Sequence, residues 1–455
     1  GPGTVSITGG SVNFDSGSNF TPTGQVQVSG GSTDFSSGST LTIPNLDLSG
    51  GNISGSDNLA IPDQGTFNWN DGTLDGSITL NSETGSTSTL NGHTVTLADN
   101  AIWNNSGTIN WNGDGGITDN FLLSNTSQFN NLADGIFNDN TVTTDHARVG
   151  NSTSAQFDNF GTLNKTGDAL TQTINSTFNQ SGTLNINAGT FQHNTDGTDS
   201  GSYNITTTLE YALSDRTLDG VSFSGNGDLV FSSGTFTIPT DVNISHSDIT
   251  LNGGALSGDG ALAIPDQGIF NWNGGTFTTN ITLDSQTGST VNINANNAAL
   301  LNNTVWNNSG TINWNGDGGI TDNFLLSNTS QFNNLAGGIF NDNTVTTDHA
   351  RIGNTNSAQF NNSGTINKTG DALTQTINST FNQSGTLNIN AGTWKNETGG
   401  TDTGTYSVNA SGMLEFSLGT RTLASGALVT GPGTVSITGG SVNFDSGSNF
   451  TPTGQ

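Results

Sequence analysis

The amino-acid sequence predicts an all-β protein, a parallel β-solenoid built from tandem repeats, and three observations lead there. Residues that favour helix are scarce: Met occurs once, Lys three times and Glu four times, while 64 Gly and abundant Asn interrupt every window long enough to hold a helix. Polarity alternates in short bursts such as Thr66-Phe67-Asn68-Trp69-Asn70 and Thr183-Leu184-Asn185-Ile186-Asn187, each bounded by Gly, Asn or Ser, which is the period and punctuation of strands. The chain also repeats itself on two scales, and its finer period is one that a single solenoid coil can fill.

The long scale is explicit. Residues 1–25 recur unchanged at 431–455, an offset of 430. Inside that span Ile61-Pro62-Asp63-Gln64-Gly65 returns as Ile264-Pro265-Asp266-Gln267-Gly268, an offset of 203, and Asn104 to Ala133 matches Asn307 to Ala336 at every position. Gly167-Asp168-Ala169-Leu170 likewise returns as Gly370-Asp371-Ala372-Leu373. The sequence thus divides into a half-unit A at 1–224, a half-unit B at 225–430, and the start of the next unit at 431–455.

The short scale is a pattern of aromatic, Asn or Asp, two residues, Gly-Thr, apolar, Asn. It appears at Trp103, more loosely at Phe129, then at Phe157 and Phe178, with spacings of 26, 28 and 21 residues. Periods in the twenties imply about 16 to 22 coils, stacked roughly 4.8 Å apart. Phe, Ile, Leu and Val would point inward and stack on their counterparts one coil away, with Thr and Ser outward. Gly and Asn tolerate the left-handed backbone of corners, where Asn side chains can also bond from coil to coil.

Composition sets limits on function. Only 30% of the 455 residues are hydrophobic and 9% charged, which suits disorder, but 24 Phe and seven Trp are what a folded core requires. Seven basic against 36 acidic residues give a net charge of −29, so nucleic acids and anionic membrane surfaces are repelled rather than bound. With no Cys, disulfides cannot hold the fold. No apolar run approaches about 18 residues, so no membrane insertion is expected, and the first residues lack signal-peptide character; an export signal or anchor would lie outside these residues.

The recurring Phe332-Asn333-Asn334 and Gly385-Thr386-Leu387-Asn388-Ile389 strings resemble the repeat regions of filamentous-haemagglutinin-like adhesins and other giant bacterial β-solenoid fibre proteins, over essentially the whole chain. That resemblance implies a right-handed parallel β-helix, export across the outer membrane, and a role in attachment, aggregation or sheath building. The secretion domain characteristic of such proteins is not among these residues.

Several residues invite a chemical reading. Asp145-His146-Ala147-Arg148 and Asp348-His349-Ala350-Arg351 combine an acid, an imidazole and a guanidinium, a set suited to general acid–base work; the same residues serve as a loop in which Arg pairs with Asp. Turn aspartates such as Asp114 and Asp228 offer oxygen to calcium, but the copies disagree, Asp134 becoming Gly337 and Asp158 becoming Asn361, and no calcium-binding nonapeptide is present. Asp57 and Asp63 are neighbouring carboxylates of the kind a β-helix polysaccharide hydrolase displays in a groove, yet nothing distinguishes them from turn residues. Thr40-Leu41-Thr42 and Thr235-Phe236-Thr237 resemble ice-ordering arrays without recurring once per coil. Trp69, Trp103 and Trp111, repeated as Trp272, Trp306 and Trp314, would stack on sugars if exposed but sit in strand patterns that place them in the core. Sequons such as Asn125-Thr126-Ser127 and Asn175-Ser176-Thr177 arise by chance in so Asn- and Thr-rich a chain.

The expectation is a structural and adhesive protein with no catalytic, cofactor-binding or metal residues required, calcium being the one ion considered. Its partners would be neighbouring repeat units or sister copies and cell-surface glycans, and its location extracellular or on the cell surface. Polysaccharide binding or degradation is the alternative.

Overall fold

The computed structural model describes residues 2–143, 145–167, 170–345, 349–355, 357–370 and 373–454. Among them there is no helix, and parallel strands stack into a β-solenoid of about 21 turns, within the range the repeat period implies. The chain divides into two compact units, Gly1–Thr217 with Val221–Asp228, and Leu218–Gly220 with Leu229–Gln455.

In the first unit a representative coil is built from three four-residue strands, Gln128–Asn131, Ile136–Asp139 and His146–Val149. Each pairs in parallel, residue for residue, with its counterpart in the next coil: Gln156–Asn159, Thr162–Lys165 and Thr171–Ile174. The second and fourth residues of every one of these strands are buried, so the alternation seen in the sequence is the alternation of core and surface.

The repeated aromatic marks the same point on successive coils. Trp103 pairs with Phe129, Phe129 with Phe157 and Phe157 with Phe178, all fully buried, with ring centroids 5.4, 4.9 and 4.9 Å apart. The second unit carries the same column as Trp306, Phe332, Phe360 and Phe381, at 5.2, 5.1 and 5.2 Å. Burying each such ring contributes about 1.5–3 kcal/mol. A chain with few hydrophobic residues therefore still forms a dry interior, because it concentrates them at the same positions of each coil.

Corners follow two rules. Asn125, Asn280, Asn302, Asn303 and Asn328 adopt positive φ, the conformation Asn tolerates better than most side chains. The Gly of the Gly-Thr motif acts differently: a Cβ on Gly182 would lie 2.1 Å from the carbonyl oxygen of Gly161, and one on Gly201 would lie 2.3 Å from that of Gly182. Glycine is required there because successive backbones pass too close for any side chain.

The interior is not wholly apolar, which departs from the sequence expectation. Asn105, Asn131, Asn159 and Gln180 close the strand that carries the aromatic, point inward and are fully buried. Nδ2 of Asn105 donates to Oδ1 of Asn131 at 2.8 Å, Nδ2 of Asn131 to Oδ1 of Asn159 at 2.7 Å, and Nδ2 of Asn159 to Oε1 of Gln180 at 2.6 Å. These amides also reach backbone carbonyls at the corner, Asn131 donating to Gly135 O at 3.3 Å and to Thr162 O, at the start of the next coil's strand, at 3.1 Å. A chain turning a tight corner has backbone groups that its ladders leave unpaired, and the buried amide supplies a partner.

Candidate functional site

Asn also ladders on the outside. In the second unit Nδ2 of each residue donates to Oδ1 of its counterpart one coil back along Asn271, Asn292, Asn313, Asn341, Asn367 and Asn388, at 2.9–3.1 Å. The first unit has the series Asn110, Asn138, Asn164 and Asn185, at 2.8–2.9 Å. The sequence reading placed such ladders at corners and gave the outward strand positions to Thr and Ser. Asn shares those positions because its amide can donate to one neighbour and accept from the other, which a hydroxyl does less completely.

The Asp145, His146 and Arg148 cluster does assemble. His146 lies with Nδ1 3.0 Å from Oδ2 of Asp145, and Nη2 of Arg148 lies 3.0 Å from Nε2 of His146. Because Arg can only donate, Nε2 accepts, the proton sits on Nδ1, and Nδ1 donates to Asp145. Arg148 thus takes the imidazole where the loop reading gave it Asp145. Asp145 is 61% exposed and His146 25% exposed. In the second copy Arg351 and His349 are 3.5 Å apart, and Asp348 lies outside the described residues.

The other candidates fall into structural places. Asp57 is buried and accepts from the backbone N–H of Ser37 at 2.8 Å, the Ser37 hydroxyl at 2.7 Å and the N–H of Gly38 at 2.7 Å. Burial pushes its pKa up, but these hydrogen bonds bring it below the ordinary carboxylate value, so it is an ionised corner clamp. Asp63 is exposed, as are Asp134 and Asp228, while Asp158 accepts from Gln156 at 2.9 Å and Asn179 at 2.7 Å. Thr40 and Thr42 face outward but pair with Asn58 and Ala60, and Thr235 and Thr237 pair with Ala255 and Ser257, so neither makes a threonine array. All six repeated Trp are fully buried, and Trp394 with them, which removes them from any sugar-stacking surface.

What the sequence reading missed is a set of buried charges. Asp199 and Arg216 form an ion pair with no solvent exposure, joined by Tyr203, whose hydroxyl donates to Asp199 Oδ1 at 2.6 Å, and Tyr211, whose hydroxyl donates to Oδ2 at 3.1 Å. Burial, with the charge of Asp199, holds both phenols well above their ordinary range, so they remain donors. His193 stacks on Tyr211 at 4.9 Å and on Phe178 at 5.2 Å, and burial together with the charge of Arg216 keeps it neutral. In the second unit Asp402, Arg421 and Tyr406 form a related cluster, with Asn396 in place of His193 and Phe416 in place of Tyr211. The register also sets buried Asp139 beside buried Lys165, and Asp342 beside Lys368. Exact repetition of Asp-x-x-x-Tyr at 199–203 and 402–406 was the available signal.

The chain matches no protein-family model and no curated protein. The β-solenoid itself is therefore the established description.

Proposed function

We propose that this chain is a segment of an extracellular or cell-surface bacterial filament, similar in kind to filamentous-haemagglutinin-like adhesins, whose role is structural and adhesive and not catalytic. The observation that carries this reading is the outward Asn series, above all the six rungs from Asn271 to Asn388. Their hydrogen bonds run from coil to coil, parallel to the backbone pairing, so pulling coils apart breaks side-chain and main-chain bonds together. The same faces present a repeated polar surface on which weak contacts to glycans or to sister copies add up by multivalency. A net charge of −29 keeps copies soluble until such contacts form.

The test has two arms. Linked units should bind a glycan array or cells with an avidity that rises steeply with unit number, and micrographs should show stiff rods. Release of product from a polysaccharide panel, lost on His146→Ala, would replace this reading with the hydrolytic one, since the Asp145, His146 and Arg148 contact is the feature that favours it.

A further inference from the structure

Parallel register brings together three residues that are far apart in the chain. Thr94 pairs with Asn120, which sets His93 one coil back from Asp119, and the loop between strands Thr108–Trp111 and Thr118–Leu123 folds Asp114 over both. One ligand atom from each of His93, Asp114 and Asp119 lies within 4.8 Å of the others. His93 and Asp114 are 51% and 44% exposed and line a cleft of about 420 Å³ together with Asp71 and Asn91. Asp119 is fully buried.

The second observation is an unsatisfied oxygen. Oδ1 of Asp119 accepts the backbone N–H of Asp114 at 3.0 Å, but Oδ2 has no hydrogen-bond partner. Leaving a buried carboxylate oxygen bare costs about 1–3 kcal/mol or more.

We propose that His93, Asp114 and Asp119 form a binding site for one divalent transition cation of the zinc class. An imidazole nitrogen with two carboxylates is a donor set that suits zinc and its neighbours better than calcium, which prefers six or more oxygens. Ligands around such an ion stand roughly 3.4 Å apart, a contraction that the exposed side chains of His93 and Asp114 reach by rotation. Three protein ligands leave a coordination position facing the cleft.

The molecule contains its own control. In the second unit Asp317 and Asp322 repeat the loop, Asp317 N donating to Asp322 Oδ1 at 3.0 Å, and Asn297 pairs with Asn323. The position of His93 is taken there by Asn296, so that unit keeps the carboxylates, with Oδ2 of buried Asp322 likewise without a hydrogen-bond partner, and the imidazole alone separates the two places.

The experiment is calorimetric titration of the full chain with Zn²⁺, with the visible absorbance of Co²⁺ as a second readout and Ca²⁺ as comparison. One tight ion per chain is expected. His93→Asn, which copies the second unit and changes an exposed residue, should weaken binding by at least about 100-fold, since loss of even an outer-shell partner costs roughly 10–100-fold. Asn296→His should raise the stoichiometry to two, and His146→Ala should leave it unchanged. No saturable binding, binding that survives His93→Asn, or binding that is lost with His146→Ala would each overturn the assignment.

Discussion

Arg216 and Asp199 meet as an ion pair with neither side chain exposed to solvent, Nε of Arg216 donating to Oδ2 of Asp199 at 3.0 Å. Two tyrosine hydroxyls complete the carboxylate's shell, so the members of the network support one another. Arg216→Met should destabilise the surrounding coils by about 3–5 kcal/mol, because it leaves a buried carboxylate unpaired. Paired replacement with Asp199→Leu should recover a large part of the loss. Hydrogen exchange of strands Ser202–Ile205 and Thr208–Tyr211 is the measurement, since coils of a solenoid open with their neighbours and not all at once. Unchanged protection in Arg216→Met would mean that the pair contributes nothing.

A pH effect belongs to the first unit. His193 is neutral when folded, its pKa lowered by burial and by Arg216, whereas the unfolded imidazole titrates near 6.5. The unfolded state therefore binds the extra proton as pH falls below about 6.5, and folded stability is lost in that direction, by about 1.4 kcal/mol per pH unit until the folded pKa is reached. Asn396 at the matching place cannot titrate. Exchange protection near Tyr211 should fall between roughly pH 6.5 and 5 while protection near Phe416 holds, and His193→Asn should abolish the difference.

The buried amide column can be tested by one atom. Asn131→Asp keeps the shape but replaces the donor that serves Asn159 and Thr162 with a second acceptor. A cost of about 1–3 kcal/mol follows from the unsatisfied groups, more where the carboxylate stays ionised. Faster exchange should centre on strands Gln128–Asn131 and Gln156–Asn159; an effect no larger than that of Asn140→Asp on the exposed series would count against the column.

Glycine positions should separate into two kinds. Gly182→Ala drives a methyl group into the Gly161 carbonyl and should cost about 1–3 kcal/mol or more, with coils on both sides disturbed. Gly38 has φ +80°, but a methyl group there would meet nothing within 4 Å, so Gly38→Ala should cost only about 1 kcal/mol of local backbone strain. Equal thermal shifts for the two would refute the close-approach account.

The fold was legible because a solenoid writes its geometry along the chain. The spacings of Trp103, Phe129, Phe157 and Phe178 are the coil lengths themselves, and strand alternation marks which residues face inward. The polar interior was less legible for a physical reason. Nothing local separates Asp199 from a turn aspartate or Asn131 from an outward asparagine; only register, set by neighbours 17 to 28 residues away, decides which are buried and with whom. His93, Asp114 and Asp119 illustrate the same limit, since the first meets the others across a coil boundary.

Coil length varies among coils whose strands keep one register. Equivalent residues are 28 apart at Asn131 and Asn159, 21 apart at Asn159 and Gln180, and 18 apart at Gln192 and Glu210, yet the strands on either side stay aligned. The surplus residues are extruded sideways, as at residues 315–320, none of them buried and Ile320 69% exposed, between strands Thr311–Trp314 and Thr321–Leu326. Such a scaffold accepts cargo: a foreign peptide spliced in after Gly318 would be displayed without retuning the layers beneath it, so decoration and architecture can be engineered, or diversified by evolution, independently.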